Sequence, residues 1–284
     1  MKVLLAQLCG GAGDVPILDA SLALARHLGG HVRALFLAPD PRTMIPFMGA
    51  NVPGSLVEEI CRRAEMDVEA ARAAAHARFE TWQQNGEIKL SSQPGAPGPS
   101  AEWSVEVGDD REAIARAGRL ADLVIVARLT SVNDVRARAA AEAAIFNTGH
   151  PVLLVPPSGK LNLGGACVIG WQGSREAARA LGAAVPLLGA AESIHIVSVL
   201  EGKSGRIPPE AAQSYLAWHG LKSYVTVCEP TGSVAATLFR KARSVDAGLV
   251  IMGAYSHTRF RELVFGGVTE YAMTRAKVPV LLCH

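Results

Sequence analysis

The chain has 284 residues, of which 49% are hydrophobic and 5% aromatic, and its formal net charge is +2 at pH 7. This balance, with no stretch dense in lysine and arginine, argues against a nucleic-acid partner. No apolar run approaches the ~20 residues that a membrane-spanning helix needs. Abundant Ala, Gly, Leu and Val are typical of helices packed on parallel sheets, so we expect a cytoplasmic α/β protein that binds neither nucleic acid nor membrane.

The first half alternates short aliphatic runs with helical patterns. The N-terminal sequence MKVLLAQLCGG is interpreted as a strand, because its apolar part is too short for a signal peptide. The helix that follows has clear end signals, with Asp14 predicted as its N-cap, Pro16 in its first turn and Gly29-Gly30 as its end. The predicted strands of this half lie at 2–8, 31–38, 102–107, 122–127 and 151–155.

Residues 39–101 contain a predicted insertion of helix and loop. Pro39–Pro53 is rich in proline and methionine and predicts a loop. In Ser55–Gln84, alanine and aliphatic residues recur at helical spacing, which predicts a long helix. Gly86–Ser100 is rich in Pro, Gly and Ser and predicts a surface or disordered loop, which a protease would cut first.

The second half repeats the first without the insertion. Asp122–Val126 matches Gly248–Met252, and Pro151–Val155 matches Pro279–Cys283. The boundary falls at Pro156–Gly164, which has linker composition. The predicted strands of the second half lie at 166–171, 193–200, 222–228, 248–252 and 278–283.

This repeat predicts two domains, 1–157 and 164–284, of the α/β class. Strands that alternate with helices imply right-handed crossovers and a parallel sheet. Each domain is expected to be doubly wound, with five strands in the order 3-2-1-4-5 and helices on both faces. The last strands of the two copies should meet near a pseudo-two-fold axis, since open hydrophobic edges aggregate. That meeting would bury Val152, Leu154, Val280 and Leu282.

The segment after Leu249 reads as strand, glycine turn, helix and strand. Its turn lies at the carboxyl end of a strand, where open α/β sheets bind ligands. The turn reads Gly253, two residues, Ser256, nine residues and Gly266-Gly267. This spacing resembles the nucleotide loop of the universal stress protein family, Gly-2x-Gly-9x-Gly-(Ser/Thr). Serine replaces the second glycine of that pattern, and glycine replaces its closing hydroxyl residue.

The resemblance implies a tandem universal stress protein with ATP or AMP in its second domain. In the family an aspartate ends the first strand, and Gln172 stands at that position here. Helix amino ends favour phosphate, and His257, Arg259 and Arg261 would add positive charge, unless they are solvated residues of a surface loop. The implied nucleotide-binding residues are Gln172, Val199, Met252, Gly253, Ser256, Gly266, Gly267 and Val268.

The first domain lacks this loop. Its fourth strand runs into Arg128, and the positions that match Gly266-Gly267 are Arg138-Ala139, inside an alanine-rich helix. Its first strand ends in Leu8-Cys9, with no acidic residue. We therefore expect the first domain to be a structural partner that binds no nucleotide.

No pattern predicts catalytic or metal-binding residues. The five cysteines form no CxxC pair and are expected to be buried, reduced thiols. His195 and His219 are interpreted as structural, and Tyr215 and Trp218 as core or domain contacts.

The function that these patterns favour is a non-catalytic stress-response and signalling module with, at most, weak ATP or AMP binding. It would exist as a monomer or homodimer built on the internal pseudo-dimer, with unknown protein partners. One alternative is a nucleotide-free scaffold that acts through protein contacts. The other is an ATP-using enzyme, whose signature loop the sequence lacks.

Overall fold

A computed structural model describes residues 1–40, 54–95, 97–131, 134–157, 160–200, 207–254 and 267–284. The strands of the first half are β1 (Val3–Leu8), β2 (His31–Ala38), β3 (Lys89–Leu90), β4 (Ser100–Val107), β5 (Leu123–Ala127) and β6 (Val152–Val155). Its helices are α1 (Asp14–Leu28), α2 (Gly54–Asn85), α3 (Asp110–Gly118) and α4 (Val135–Asn147).

The second half has the same alternation of elements. Its strands are β7 (Ala166–Gly170), β8 (Ser193–Val199), β9 (Tyr224–Cys228), β10 (Leu249–Gly253) and β11 (Val280–Cys283). Its helices are α5 (Arg175–Leu188), α6 (Pro209–Trp218), α7 (Val234–Ser244) and α8 (Gly267–Thr274). In the described part of the chain, no helix combines the length and apolar character that crossing a membrane requires.

The eleven strands form one sheet in the order β3-β4-β2-β1-β5-β6-β11-β10-β7-β8-β9. Within each half the five predicted strands take the order 3-2-1-4-5, which confirms the predicted doubly wound fold. Strands within a half pair in parallel, whereas β6 and β11 pair antiparallel. The two sheets are therefore continuous through their last strands.

The β6–β11 pair forms the junction that the sequence predicted. Val280 is opposite Leu154, and Leu282 is opposite Val152. These four side chains are at most 1% exposed. Because each strand covers the hydrophobic edge of the other, neither edge is open to aggregation.

Helix α1 departs from the predicted capping. Its N-cap is Gly13, and no side chain caps it. Asp14 is the first helical residue, and its carboxylate accepts hydrogen bonds from the backbone N–H groups of Cys9 and Gly10, each at 2.9 Å. Asp14 therefore holds the β1–α1 turn closed instead of capping the helix. The predicted end is confirmed, since Gly29 has φ 57°.

Helix α2 confirms the predicted long helix, extending one residue beyond it at each end. It packs on the β1–α1 turn so closely that a Cβ at Gly10 would lie 2.4 Å from the carbonyl oxygen of Ala71. Glycine also suits the backbone of Gly10, where φ is +80°. The buried side chains of α2 are Ala75, Phe79 and Trp82.

The prediction of a loop over Gly86–Ser100 is partly wrong. Ile88 is 1% exposed, and β3 pairs in parallel with the start of β4, which begins at Ser100. A strand of two residues is too short to show alternation in sequence, so its partner alone defines it. The predicted loop Pro39–Pro53 lies outside the described residues from position 41 onward.

Candidate functional site

The predicted nucleotide site of the second domain lies where β7 and β10 are neighbours and the strand order reverses. Gln172 follows β7, and Val199 ends β8. Met252 and Gly253 end β10, and α8 begins at Gly267. The topology thus brings these carboxyl ends to one edge of the sheet. The other predicted positions, Ser256, His257, Arg259, Arg261 and Gly266, lie outside the described residues.

Gln172 is tied into the start of α5. Its Nε2 donates a hydrogen bond to Ser174 Oγ at 3.3 Å. Ser174 Oγ in turn accepts from the backbone N–H of Ala177 at 3.2 Å and so caps the helix. An amide supplies no anionic acceptor, and part of this amide is already used within the protein.

Gly253 is required by packing. A Cβ at this position would lie 2.5 Å from the backbone nitrogen of Ala177 and 2.7 Å from the carbonyl carbon of Glu176. The end of β10 therefore touches the first turn of α5, and only glycine permits that approach. This contact explains the first glycine of the loop without any ligand.

Gly267, by contrast, has no close neighbour among the described residues. None of their atoms lies within 4 Å of a Cβ built at this position, at the start of α8. The first backbone N–H groups of a helix have no partner in the helix itself, and they attract anions. Val268, the residue after Gly267, is partly buried and packs against the hydrophobic core. The side chains of Val199 and Met252 are 8% and 3% exposed, so a ligand would meet mainly their backbone.

Two arginines of the first domain hold α8 in place. Arg138 Nη1 and Nη2 donate to the two carboxylate oxygens of Glu270 at 3.0 and 2.8 Å. Arg128 Nη1 donates to the carbonyl oxygen of Thr274, and burial lowers the pKa of its guanidinium. Arg138, which matches Gly266 in the repeat, and Arg128 thus both make contacts between the domains.

The first domain contains a cavity of about 590 Å³ at the carboxyl ends of its own strands. Gln7 and Phe36 contribute from β1 and β2, and Ala127 contributes from the end of β5. Helix α2 forms the opposite wall through residues between Ile60 and Ala71. The polar residues that line the cavity are Gln7, Cys9, Arg63, Asp67, Asp110, Asp134 and Arg136.

The sequence predicted no acidic residue at the end of β1, and this is wrong, because the carboxylate of Asp14 lies there. Asp14 is the first residue of α1, and its side chain is fully buried. Arg78 of α2 approaches its carboxylate at 3.4 Å. Arg78 and the backbone N–H groups of Cys9 and Gly10 all donate to this carboxylate. We therefore interpret Asp14 as a structural residue and not as a counterpart of the family's nucleotide-binding aspartate. Three of the cavity's charged groups are also engaged, because Arg136 pairs with Asp110 and the Asp134 carboxylate caps α4.

The surroundings of Asp14 favour the protonated form of the neighbouring Cys9 thiol. Burial raises the pKa of the Asp14 carboxyl, although the hydrogen bonds from Cys9 and Gly10 and the charge of Arg78 oppose this. Cys9 is exposed, but desolvation by surrounding atoms and the negative charge of Asp14 raise the pKa of its thiol. The thiol lies 3.6 Å from Asp14 Oδ1, to which it donates.

The cysteine prediction is confirmed for two positions only. Burial raises the pKa of Cys167 to about 11 and that of Cys283 to about 12. All five thiols are free, but Cys9 is exposed and Cys61 and Cys228 are partly exposed. Cys9 lies in the turn after β1, Cys61 on α2 and Cys228 on the edge strand β9.

The aromatic pair of α6 is not in the core, so that interpretation is wrong. Trp218 is 91% exposed and Tyr215 is 41% exposed. His195 stacks on Tyr224 and lies 3.1 Å from Ser193 Oγ, and His219 ends α6. Both histidines therefore make structural contacts, as expected.

Residues 166–284 match the universal stress protein family. The whole fold is similar to the crystal structure of a universal stress protein from Archaeoglobus fulgidus DSM 4304, with a TM-score of 0.64 and 15% identity over 99% of this chain and 95% of that one. It is also similar to a functionally unknown protein from Pseudomonas aeruginosa PAO1, with a TM-score of 0.56 and 12% identity over 100% of this chain and 92% of that one. No curated protein matches the sequence.

The second half is therefore a universal stress protein domain, defined by its strand order and by the family match. The first half repeats the same strand order and joins it through β6 and β11. The chain thus joins a half that matches the universal stress protein family to a half with the same strand order.

Proposed function

We propose that this tandem protein is a non-catalytic stress-response and signalling module whose second domain binds ATP or AMP weakly or not at all. One observation supports this most directly. At the end of β7, where the family has an aspartate, the side chain of Gln172 is neutral and hydrogen-bonded to the cap of α5. A nucleotide would lose an anionic acceptor there and would also compete with an internal hydrogen bond.

The remaining features of the loop favour phosphate less than the family pattern does. Gly253 serves packing, and Gly267 leaves room but supplies no hydroxyl group. Each lost hydrogen bond weakens binding by about 0.5–1.5 kcal/mol. Changes at Gln172, Ser256 and Gly267 would together move a micromolar site toward the millimolar range, since each ~1.4 kcal/mol is tenfold in affinity.

Titration calorimetry with ATP tests the proposal on the whole chain. The unmodified protein, Gln172→Asp and the double variant Gln172→Asp with Gly267→Ser would be compared. We expect binding to tighten stepwise, by about tenfold for each restored group. Gln93→Asp is the matched control, since it adds the same charge on an exposed loop of the first domain. Tight binding by the unmodified protein would contradict the proposal.

A second candidate function, a nucleotide-free scaffold, is favoured by the exposed surface of α6. Trp218 is 91% exposed and Tyr215, three residues before it on α6, is 41% exposed, and apolar side chains exposed together mark surfaces that bind other proteins. If ATP binds neither the unmodified chain nor the double variant, the scaffold becomes the better account. In that case the nucleotide loop would be only a remnant of the fold.

A further inference from the structure

The cavity of the first domain has the size and the position of a ligand site. Its volume of about 590 Å³ lies within the range of about 300–1,000 Å³ that is usual for small-molecule sites. It lies at the carboxyl ends of β1, β2 and β5, where open α/β sheets bind ligands. The long helix α2 closes it on one side, whereas α6, between the corresponding strands of the second domain, has only 10 residues. The cavity therefore depends on the helix that distinguishes the first domain.

The wall of this cavity is mainly apolar. Apolar side chains outnumber polar ones in it, and they include Ile17 of α1, Phe36 of β2 and Ile60 of α2. Ile17 and Phe36 belong to the hydrophobic core, so this part of the wall is preformed. Burial of apolar surface is the main favourable contribution to binding at such a wall. A ligand that fits the cavity therefore has an apolar body.

Gln7 supplies a neutral polar group within this wall. It lies on β1, an interior strand between β2 and β5, yet its side chain is partly exposed while that of Leu8 is buried. The cavity that Gln7 lines accounts for this exposure. The side-chain amide of Gln7 makes no hydrogen bond with the residues that the structure describes. Because an amide both donates and accepts, it can bind one polar group of a ligand.

The amino ends of the helices around this edge of the sheet are occupied by the protein's own carboxylates. Asp109 caps α3, and Asp134 caps α4. Asp14 accepts hydrogen bonds from the N–H groups of the turn that leads into α1. Free helix amino ends bind phosphate and other anions. Since aspartates already fill these positions, an anionic ligand would find few backbone donors and would be repelled by the carboxylates.

The charged residues that line the cavity also disfavour an anion. They are two arginines and three aspartates, which leaves one negative charge in excess. Arg136 is paired with Asp110 at 2.7 Å. Arg63 lies one helical turn from Asp67 on α2, so their charges offset each other. Burial raises the pKa of the Asp110 carboxyl, and the charge of Asp134 adds to this increase although Arg136 opposes it.

We propose that this cavity binds a small, uncharged and mainly apolar organic molecule, which the amide of Gln7 holds by one hydrogen bond. The apolar wall buries the body of the molecule, and the aspartates at the helix amino ends exclude nucleotides and other anions. The first domain then has a ligand site of its own, of a different chemical class from the nucleotide cleft of the second domain. This inference does not depend on whether the second domain binds ATP.

Fluorescence titration of the full chain with N-phenylnaphthylamine tests the class of ligand. This probe is neutral and apolar, has one N–H group, and fluoresces more strongly in apolar surroundings. We expect saturable binding of one molecule per chain. Anilinonaphthalenesulfonate has the same ring skeleton with an added sulfonate, and it should bind at least about tenfold more weakly. A chain that does not bind N-phenylnaphthylamine, or that binds both probes equally well, would overturn the proposal.

Three variants test the location of the bound probe. Ala64→Trp should abolish binding, because its indole would fill the cavity from the wall of α2. Ala73→Trp is the matched control, since Ala73 is exposed on the same helix and does not line the cavity. Gln7→Leu removes the hydrogen-bonding groups at similar size and should weaken binding of N-phenylnaphthylamine by about two- to tenfold.

Circular dichroism would show that each variant is folded. Loss of binding in Ala64→Trp and its retention in Ala73→Trp would place the probe in the cavity. Undiminished binding in Ala64→Trp or in Gln7→Leu would overturn the proposal, and so would loss of binding in Ala73→Trp.

Discussion

The guanidinium of Arg138 forms a bidentate ion pair with the carboxylate of Glu270, which joins α4 of the first domain to α8 of the second. In the internal repeat, Arg138 occupies the position of Gly266. The arginine at this position of the first domain therefore contacts the helix that begins at Gly267 in the second domain.

This ion pair is expected to stabilise the docking of the two domains. The side chains are 19% and 33% exposed, so solvent screens their attraction only in part. A double-mutant cycle with Arg138→Ala and Glu270→Ala, measured by urea unfolding, should give a coupling free energy of about 1 kcal/mol. The same cycle on the exposed pair Arg62–Glu59 should give none that is measurable. Additive effects of Arg138→Ala and Glu270→Ala would refute this role.

The two glycines of the nucleotide loop should respond oppositely to alanine. Gly253→Ala forces a Cβ against the backbone of α5 and should lower the free energy of unfolding by about 1–3 kcal/mol. Gly267→Ala meets no atom of the residues that the structure describes and should be neutral or stabilise by up to about 1 kcal/mol, since alanine favours helix. Urea unfolding of the two variants measures the difference. Equal stability of the two would show that β10 does not pack on α5 as described.

Asp14 should make stability depend on acidic pH. Because its pKa is raised in the folded state, the fold binds this proton more tightly than the unfolded chain does. The resulting stabilisation is fully present below the ordinary aspartate pKa and is lost as the pH rises through the folded value. The free energy of unfolding of the unmodified protein, minus that of Asp14→Asn, should therefore fall as the pH rises from about 4 toward neutrality. A difference that stays constant or grows would contradict this.

The Asp14 carboxylate should also lower the reactivity of the Cys9 thiol. Asp14→Asn removes a negative charge that raises the thiol pKa, so more thiolate should form at a given pH. Alkylation of Cys9 by iodoacetamide, followed by peptide mass spectrometry, should then be faster in the variant. Cys61, on α2, is an internal control whose rate should not change. An unchanged or slower rate at Cys9 would exclude the effect of Asp14.

The elements that depend on local pattern were predictable. Aliphatic runs bounded by glycine and proline predicted the strands. The matched runs of β6 and β11 predicted the junction, because two exposed hydrophobic edge strands can cover each other by pairing. The strand β3 was not predictable. Its two residues have no pattern of their own, and only the parallel pairing with β4 makes them a strand.

The candidate site was predictable only in part, for a related reason. The spacing of the loop located Gly253, but its packing on Ala177 depends on where α5 begins in space. The sequence likewise placed no acid at the end of β1, because Asp14 belongs to the following helix and folds back onto the turn. The first-domain cavity requires α2 to lie across the strand ends, which its helical pattern alone does not specify.

The central claim is that nucleotide binding is weak and confined to the second domain, and a two-dimensional amide NMR titration with ATP tests it most directly. We predict no shifts at micromolar ATP and, at millimolar ATP, either none or small shifts confined to the second-domain cleft. The informative amides are Gln172, Gly253 and Gly267, with Cys9 and Ala127 of the first-domain cavity as the comparison. Saturation at micromolar ATP, or shifts at Cys9 and Ala127, would contradict the account.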